Sequence, residues 1–226
     1  GINQLLPVIV MPYLMVKLGA EGYGYVGFSL SVVQYLIIIV DFGFNLSATK
    51  RIAVVANDRI ALSHVFWNVV AAKLLLMFLT TLALLILVVC IPTFRLYGNA
   101  IIATYPMLLG SALTFIWFFQ GIGRIRLFSI MNTVSKIALL PLIFVFVQSP
   151  DDYVVAALLQ AVVFVSTAII SNIYVARQRL VEWIRPTWKL VKEELHVSFP
   201  LFLSSASTSV YTQFIVIVLG FYCTTE

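Results

Sequence analysis

Long uncharged runs constrain this chain more than any other feature. Gly22 to Val40, Leu96 to Gly123, Tyr153 to Ala176 and Leu195 to Thr225 contain no Lys, Arg, Asp or Glu. A helix needs roughly 20 predominantly apolar residues to cross the hydrocarbon core of a bilayer. Val65 to Phe94 and Leu127 to Pro150 qualify too, each interrupted by a single lysine, Lys73 or Lys136. The opening stretch Gly1 to Val16 is apolar but short. It lacks a basic n-region and a small-residue cleavage site, so it reads as a clipped helix and not as a signal peptide. With 62% hydrophobic and 10% charged residues, the solvent to assume is lipid. Each backbone polar group there must be satisfied within its own helix, which excludes an open sheet. The fold class is therefore all-α, a polytopic transmembrane helical bundle, and the expectation is seven helices.

The basic residues give an orientation. Lys50, Arg51, Arg59, Arg124, Arg126, Arg177, Arg179, Arg185, Lys189 and Lys192 follow the second, fourth and sixth helices, whereas only Lys17 and Arg95 follow the odd ones. By the positive-inside rule the amino terminus is cytoplasmic. Topology thus accounts for the net charge of +5, and no nucleic-acid partner is implied. Trp67, Trp117, Trp183 and Trp188 all fall on the basic side, where indoles anchor helices at the headgroups. Between Arg177 and Glu194, the spacing of Leu180, Ile184, Trp188, Val191 and Leu195 predicts an amphipathic segment on the inner membrane surface. Its domain boundaries are 1–176 for a six-helix lobe, 177–195 for the linker and 196–226 for the first helix of a second lobe.

Intramembrane charge marks the candidate site. A charged side chain at a helix centre costs roughly 2.5 to 3.5 kcal/mol on insertion scales. Lys73 and Lys136 both fall near the midplane, about 12 to 14 Å deep at about 1.5 Å per residue. Ser129, Asn132 and Lys136 share one helix face, and Gln160, Thr167 and Ser171 repeat the pattern on the next helix. Three readings of the lysines stay open here. They line a hydrated cavity and attract an anion; Lys73 pairs with Asp41, the carboxylate expected within the membrane; or they snorkel. The candidate cavity residues are Lys73, Lys136, Asn132, Gln160 and Asp41. The serine-rich centre of the seventh helix, from Ser204 to Gln213, suits close helix packing as well as cavity lining. Pro7, Pro12, Pro106, Pro141 and Pro200 suggest kinked helices of the kind carriers use. No hydrolase elbow, HExxH or P-loop is present, and Cys90 and Cys223 form no cluster with His64 or His196. No enzyme activity, metal or cofactor is expected.

Several strings carry a family likeness: LGAEGYG (Leu18 to Gly24), DFGFNLSATKRIA (Asp41 to Ala53), AAKLLL around Lys73, WFFQG (Trp117 to Gly121), and SFPLFLSS with SVYT (Ser198 to Thr212). In order along the chain, they resemble the Wzx-type O-antigen and polysaccharide flippases of the multidrug/oligosaccharidyl-lipid/polysaccharide exporter superfamily. The chain departs from that pattern after WFFQG, where IGRIR stands in place of an expected acidic residue. The resemblance implies two lobes of six helices around a central cavity, so the full protein is expected to continue past Glu226. It also implies a bacterial inner-membrane location and an undecaprenyl-diphosphate-linked oligosaccharide substrate moved by alternating access. Lys73 and Lys136 would hold the diphosphate while the polyprenyl tail stays in lipid. A polysaccharide polymerase and a chain-length regulator are the protein partners it allows. The alternatives are a cation-coupled multidrug exporter on the same scaffold, which would favour membrane carboxylates over lysines, and a membrane-embedded polymerase or ligase, which would want a large outer loop.

The orientation predicts that cysteines replacing Arg59, Arg124 or Lys189 react with an impermeant thiol reagent only from the cytoplasm, and one replacing Asp151 only from outside. Reaction of the Arg124 and Asp151 variants from the same side would overturn the topology.

Overall fold

The computed structural model describes residues 2–223, with side chains for residues 8–92 and 94–208. The helices are α1 (Ile2–Asp41), α2 (Phe44–Val54), α3 (Arg59–Cys90), α4 (Pro92–Leu96), α5 (Gly98–Thr104), α6 (Pro106–Ala112), α7 (Ile116–Gly121), α8 (Ile125–Phe146), α9 (Tyr153–Arg177) and α10 (Trp188–Cys223). Among the described residues five helical stretches are long and apolar enough to span a membrane. They amount to a helical membrane bundle.

The first of these stretches combines two of the expected passes. Gly19 interrupts α1 with φ 67° and ψ −178°, a conformation that glycine reaches without a Cβ clash. Val10 and Leu14 before it and Val26 and Leu30 after it face a common cavity, so the two arms lie side by side. At the end of the second arm Phe42 (φ 41°) and Gly43 (φ 77°) break the helix again. There an added Cβ on Gly43 would stand 2.9 Å from the Leu201 Cβ. The expected fourth helix, Leu96 to Gly123, is instead three short helices, α5 to α7. Pro106 supplies no backbone donor at the first break. The second releases Phe115 to Phe119 into an aromatic core with Phe44, Phe66 and Phe128.

Contacts between the turns define two ends. At one, Arg51 Nη1 pairs with Glu194 Oε1 at 3.1 Å and Arg59 Nη1 with Glu182 Oε1 at 3.5 Å, while an added Cβ on Gly121 would strike Ile52. At the other, Tyr25 stacks on Tyr153, Phe28 stacks on Tyr97, and Gly22 lies against the Pro150 carbonyl. The basic turns thus share one end of the bundle. Asp58 starts α3 there by accepting the Ile60 and Ala61 N–H groups, both at 3.0 Å.

Two expectations at this end need correcting. Residues 178–187 are not helical; helix resumes only at Trp188. Pro186 cannot donate, and α3 side chains take the linker's backbone instead. Ser63 Oγ accepts the Glu182 N–H at 2.8 Å, Asn68 Oδ1 accepts the Thr187 N–H at 3.0 Å, and Trp67 Nε1 donates to the Glu182 carbonyl at 2.8 Å. Trp117 is not at a headgroup surface. It is fully buried among Phe66, Phe115 and Phe118, whereas Trp183 and Trp188 are exposed. Cys90 is exposed; the Cys223 side chain lies outside the described residues.

α10 docks on this end through small and polar contacts. Ser47 and Ser198 share a hydrogen bond of 2.6 Å, and Phe42 stacks on Phe202. Glu194 is buried just before the apolar run, with Oε2 unpartnered. Burial pushes its carboxyl up to about 7, outweighing the opposite pull of Arg51, and Glu193 adds to the rise. The folded protein therefore holds this proton over a range in which the unfolded chain releases it. Stability from this group is present below the ordinary glutamate value and declines as pH rises toward 7. Thermal unfolding of the wild type is expected to fall by several degrees between about pH 5 and 7.5, and Glu194→Gln is expected to flatten that slope. An unchanged slope in the variant would assign the titration elsewhere.

Candidate functional site

Lys73 and Lys136 occupy different environments. Lys73, on α3, is 1% exposed and donates from Nζ to Asp41 Oδ1 at 2.9 Å and to the Ser111 carbonyl at 3.1 Å. One bond closes onto the last residue of α1 and the other onto α6, so the ammonium ties three elements together. Of the three readings, the Asp41 pair is the arrangement the structure adopts. Lys73 lines neither cavity described below. Its positive charge is balanced, and the Asp41 carboxylate is balanced with it.

Lys136, near the middle of α8, makes no ion pair or hydrogen bond among the described residues. It borders two cavities. The first, of about 270 Å3, is the more polar of the two: Gln34, Asp41, Asn45, Thr114, Asn132 and Thr167 line it together with Lys136, among apolar residues such as Ile37 and Phe128. The second, of about 210 Å3, is apolar over most of its wall, with Val10, Leu14, Val26, Leu30, Leu140 and Ile143, and Lys136 and Gln160 as its polar edge. Lys136 and Val163 belong to both.

Order along the helices places the cavities in opposite halves of the bundle. Phe128, Asn132 and Lys136 run from the basic end of α8 to its centre along the polar cavity, whereas Lys136, Leu140 and Ile143 continue past the centre along the apolar one. In α9 the same division separates Thr167 from Gln160. A helix turn of about 3.6 residues explains why Asn132, Lys136 and Leu140 share a face.

Asn45 and Asn132 line the polar cavity, and their Oδ1 atoms are buried with no hydrogen-bond partner among the described residues. Leaving such an acceptor empty costs roughly 1 to 3 kcal/mol, so each would gain from a donor brought within its reach. Asn45 was not among the expected site residues. Its signal in the sequence is its spacing of four residues from Asp41, which puts two polar side chains on one side of the chain. Ser129 is exposed, and Ser171 is buried with its hydroxyl donated to the Ala168 carbonyl, so the polar stripes reach the cavity only in part. Ser204, Ser205, Ser207 and Thr208 are exposed on α10; the side chains of Ser209, Thr212 and Gln213 lie outside the described residues. Among the described residues no group of three His, Cys, Asp or Glu side chains could hold a metal.

A bundle of membrane-length helices, with Lys136 unpaired among the described residues, defines a polytopic helical membrane protein. A sequence profile described as "Polysaccharide biosynthesis protein" matches residues 1–226, and the chain belongs to that family. It is similar to the "Putative O-antigen transporter" of Escherichia coli (strain K12), 31% identical over 221 residues covering 98% of this chain and 53% of that protein. The protein of the same description from Shigella dysenteriae is 33% identical over 222 residues, covering 98% of this chain and 56% of its own length. The chain therefore spans about half the length of these curated relatives. No solved structure matches it.

Removing one partner of a buried ion pair costs roughly 3 to 5 kcal/mol, because the other charge is stranded. Lys73→Ala is accordingly expected to lower thermal stability and membrane abundance sharply, and Lys73→Met with Asp41→Asn to recover most of the loss. Measurement of the single and double variants checks this; a double variant as unstable as Lys73→Ala would show that the pairing is not what Lys73 contributes.

Proposed function

We propose that the protein carrying this chain is a flippase that moves undecaprenyl-diphosphate-linked oligosaccharide units across the bacterial inner membrane by alternating access. The observation that carries this reading is Lys136, an ammonium at the centre of a membrane helix that is unpaired among the described residues, beside a chamber lined by Gln34, Asn45 and Asn132. Family membership and the transporter names of the two relatives support it.

A lipid diphosphate must leave bulk water to cross. At an effective dielectric of 20, an ammonium about 4 Å from a single charge supplies roughly 4 kcal/mol of attraction, and desolvation reduces the net gain. Lys136 is placed to provide it. Asn132 and Asn45 offer acceptors to sugar hydroxyls, and Gln34 and Asp41 add polar wall. Lys73 acts through the fold by neutralising Asp41. That neutralisation disfavours a multidrug exporter of organic cations, which needs a free carboxylate.

In the same proposal the basic end faces the cytoplasm, residues 1–176 form the first lobe and 177–195 link it to a second lobe opened by residues 196–226. The protein works without bond chemistry, beside a polymerase and a chain-length regulator. In a flippase-deleted strain expressing the complete gene, Lys136→Ala is expected to lower surface polysaccharide at least about tenfold at normal membrane abundance, with Lys136→Arg retaining part of it. Full polysaccharide from Lys136→Ala at normal abundance would remove this lysine from the mechanism.

A further inference from the structure

The apolar cavity on the far side of Lys136 has no part in holding a sugar or a phosphate. Its wall is aliphatic, contributed by both arms of α1 and by α8, and it shares Lys136 with the polar chamber. Three environments therefore follow one another along the bundle: hydroxyl-accepting amides toward the basic end, an unpaired ammonium at the centre, and hydrocarbon toward the opposite end.

That order fits one amphiphile, with sugar, phosphate and hydrocarbon joined in sequence. We infer that the apolar cavity binds the isoprenoid units nearest the phosphate, so that the carrier grips the start of the lipid tail inside the bundle instead of leaving all of it to the bilayer. This rests on the flippase reading above and replaces the expectation that the tail stays wholly in lipid. Charge complementarity at Lys136 fixes which end of the chain enters. Met11 on the cavity wall is 52% exposed; in this proposal the remainder of a long chain leaves past it.

The size of the cavity sets the length of chain it accepts. A void of roughly 150 Å3 takes one benzene ring, so about 210 Å3 takes more than one five-carbon isoprene unit but not three. Direction matters as well. With its head toward the basic end and its tail toward the other, the bound lipid keeps the orientation it had in the leaflet at the basic end.

The test uses the complete protein in detergent, titrated with inorganic diphosphate and with dimethylallyl, geranyl and farnesyl diphosphates. Affinity is expected to rise at least about tenfold from inorganic to geranyl diphosphate and to gain little more with farnesyl. An added Cβ on Gly27 meets nothing within 4 Å, and Gly27 lines the cavity. Gly27→Leu should therefore fill the space without a clash and abolish the chain-length gain, while inorganic diphosphate still binds. Leu140→Trp serves as a second filling variant should the first express poorly. Lys136→Ala should weaken every ligand. Equal affinity for inorganic and geranyl diphosphate, with Lys136 still required, would overturn the tail cavity and leave the flippase reading standing. A gain that continues undiminished to farnesyl diphosphate, or a gain that survives both filling variants, would place the tail elsewhere. Displacement of geranyl diphosphate by phosphatidylglycerol at equal concentration would assign the cavity to ordinary bilayer lipid. Diphosphate binding and polysaccharide output both indifferent to Lys136→Ala would sink the flippase reading itself.

Discussion

Charge inside a bilayer must be compensated, and the bond between Lys73 and Asp41 is where this chain does so. At 2.9 Å, with the Ser111 carbonyl taking a second ammonium hydrogen, the pair leaves α3 electrically neutral at depth. It also fixes the end of α1, which lends Gln34, Ile37 and Asp41 to the polar chamber's wall, against α3 and α6. Neutralising one lysine gives the other its meaning. Without the pair, Asp41 would stand as a free carboxylate in the chamber that Lys136 borders, and the space would lose its net positive charge.

Helix breaks lie beside polar groups of that chamber. Asp41 and Asn45 stand four residues apart, a spacing that shares a helix face, and both line the chamber on either side of the left-handed backbone at Phe42 and Gly43. The break also clears room for α10, whose Leu201 and Phe202 approach Gly43 closely. Similarly, the break after Ala112 leaves the Ser111 carbonyl to Lys73 and brings Thr114 to the chamber.

Much of this was legible in the residues. Uncharged run length marked the apolar spans, since the bilayer imposes that length on any helix. Clustering of Lys and Arg in alternate turns matched the sharing of one end by those turns. Lys136 and Asn132 stood out because four-residue spacing puts them on one face. What stayed hidden depended on partners distant in sequence. The linker spacing at Leu180, Ile184 and Trp188 looked helical, but periodicity does not reveal that Ser63, Trp67 and Asn68 take its backbone groups. Trp117 looked like a headgroup anchor because its position along the chain was near the basic end. Its burial follows from the turn at Thr114 and Phe115, which directs Trp117, Phe118 and Phe119 inward while Gln120 stays exposed.

The difference between the two lysines was nearer to hand than the residue pattern suggested. α2 and α3 meet at the short turn between Val54 and Arg59. At about 1.5 Å per residue, Asp41 lies roughly 20 Å back from that turn and Lys73 roughly 20 Å beyond it. The two halves of a helical hairpin run side by side, so opposite charges at equal depth on its arms are brought within reach of each other. The break at Phe42 and Gly43 perturbs the count by little, because it redirects the chain without adding length. The same arithmetic gives Lys136 no partner: α8 and α9 meet near Asp151 and Asp152, and those carboxylates lie at the far end of the bundle, about 15 Å or more along the helix from Lys136. Depth matching across hairpins thus separates an intramembrane lysine that the fold pairs from one to which it gives no carboxylate among the described residues.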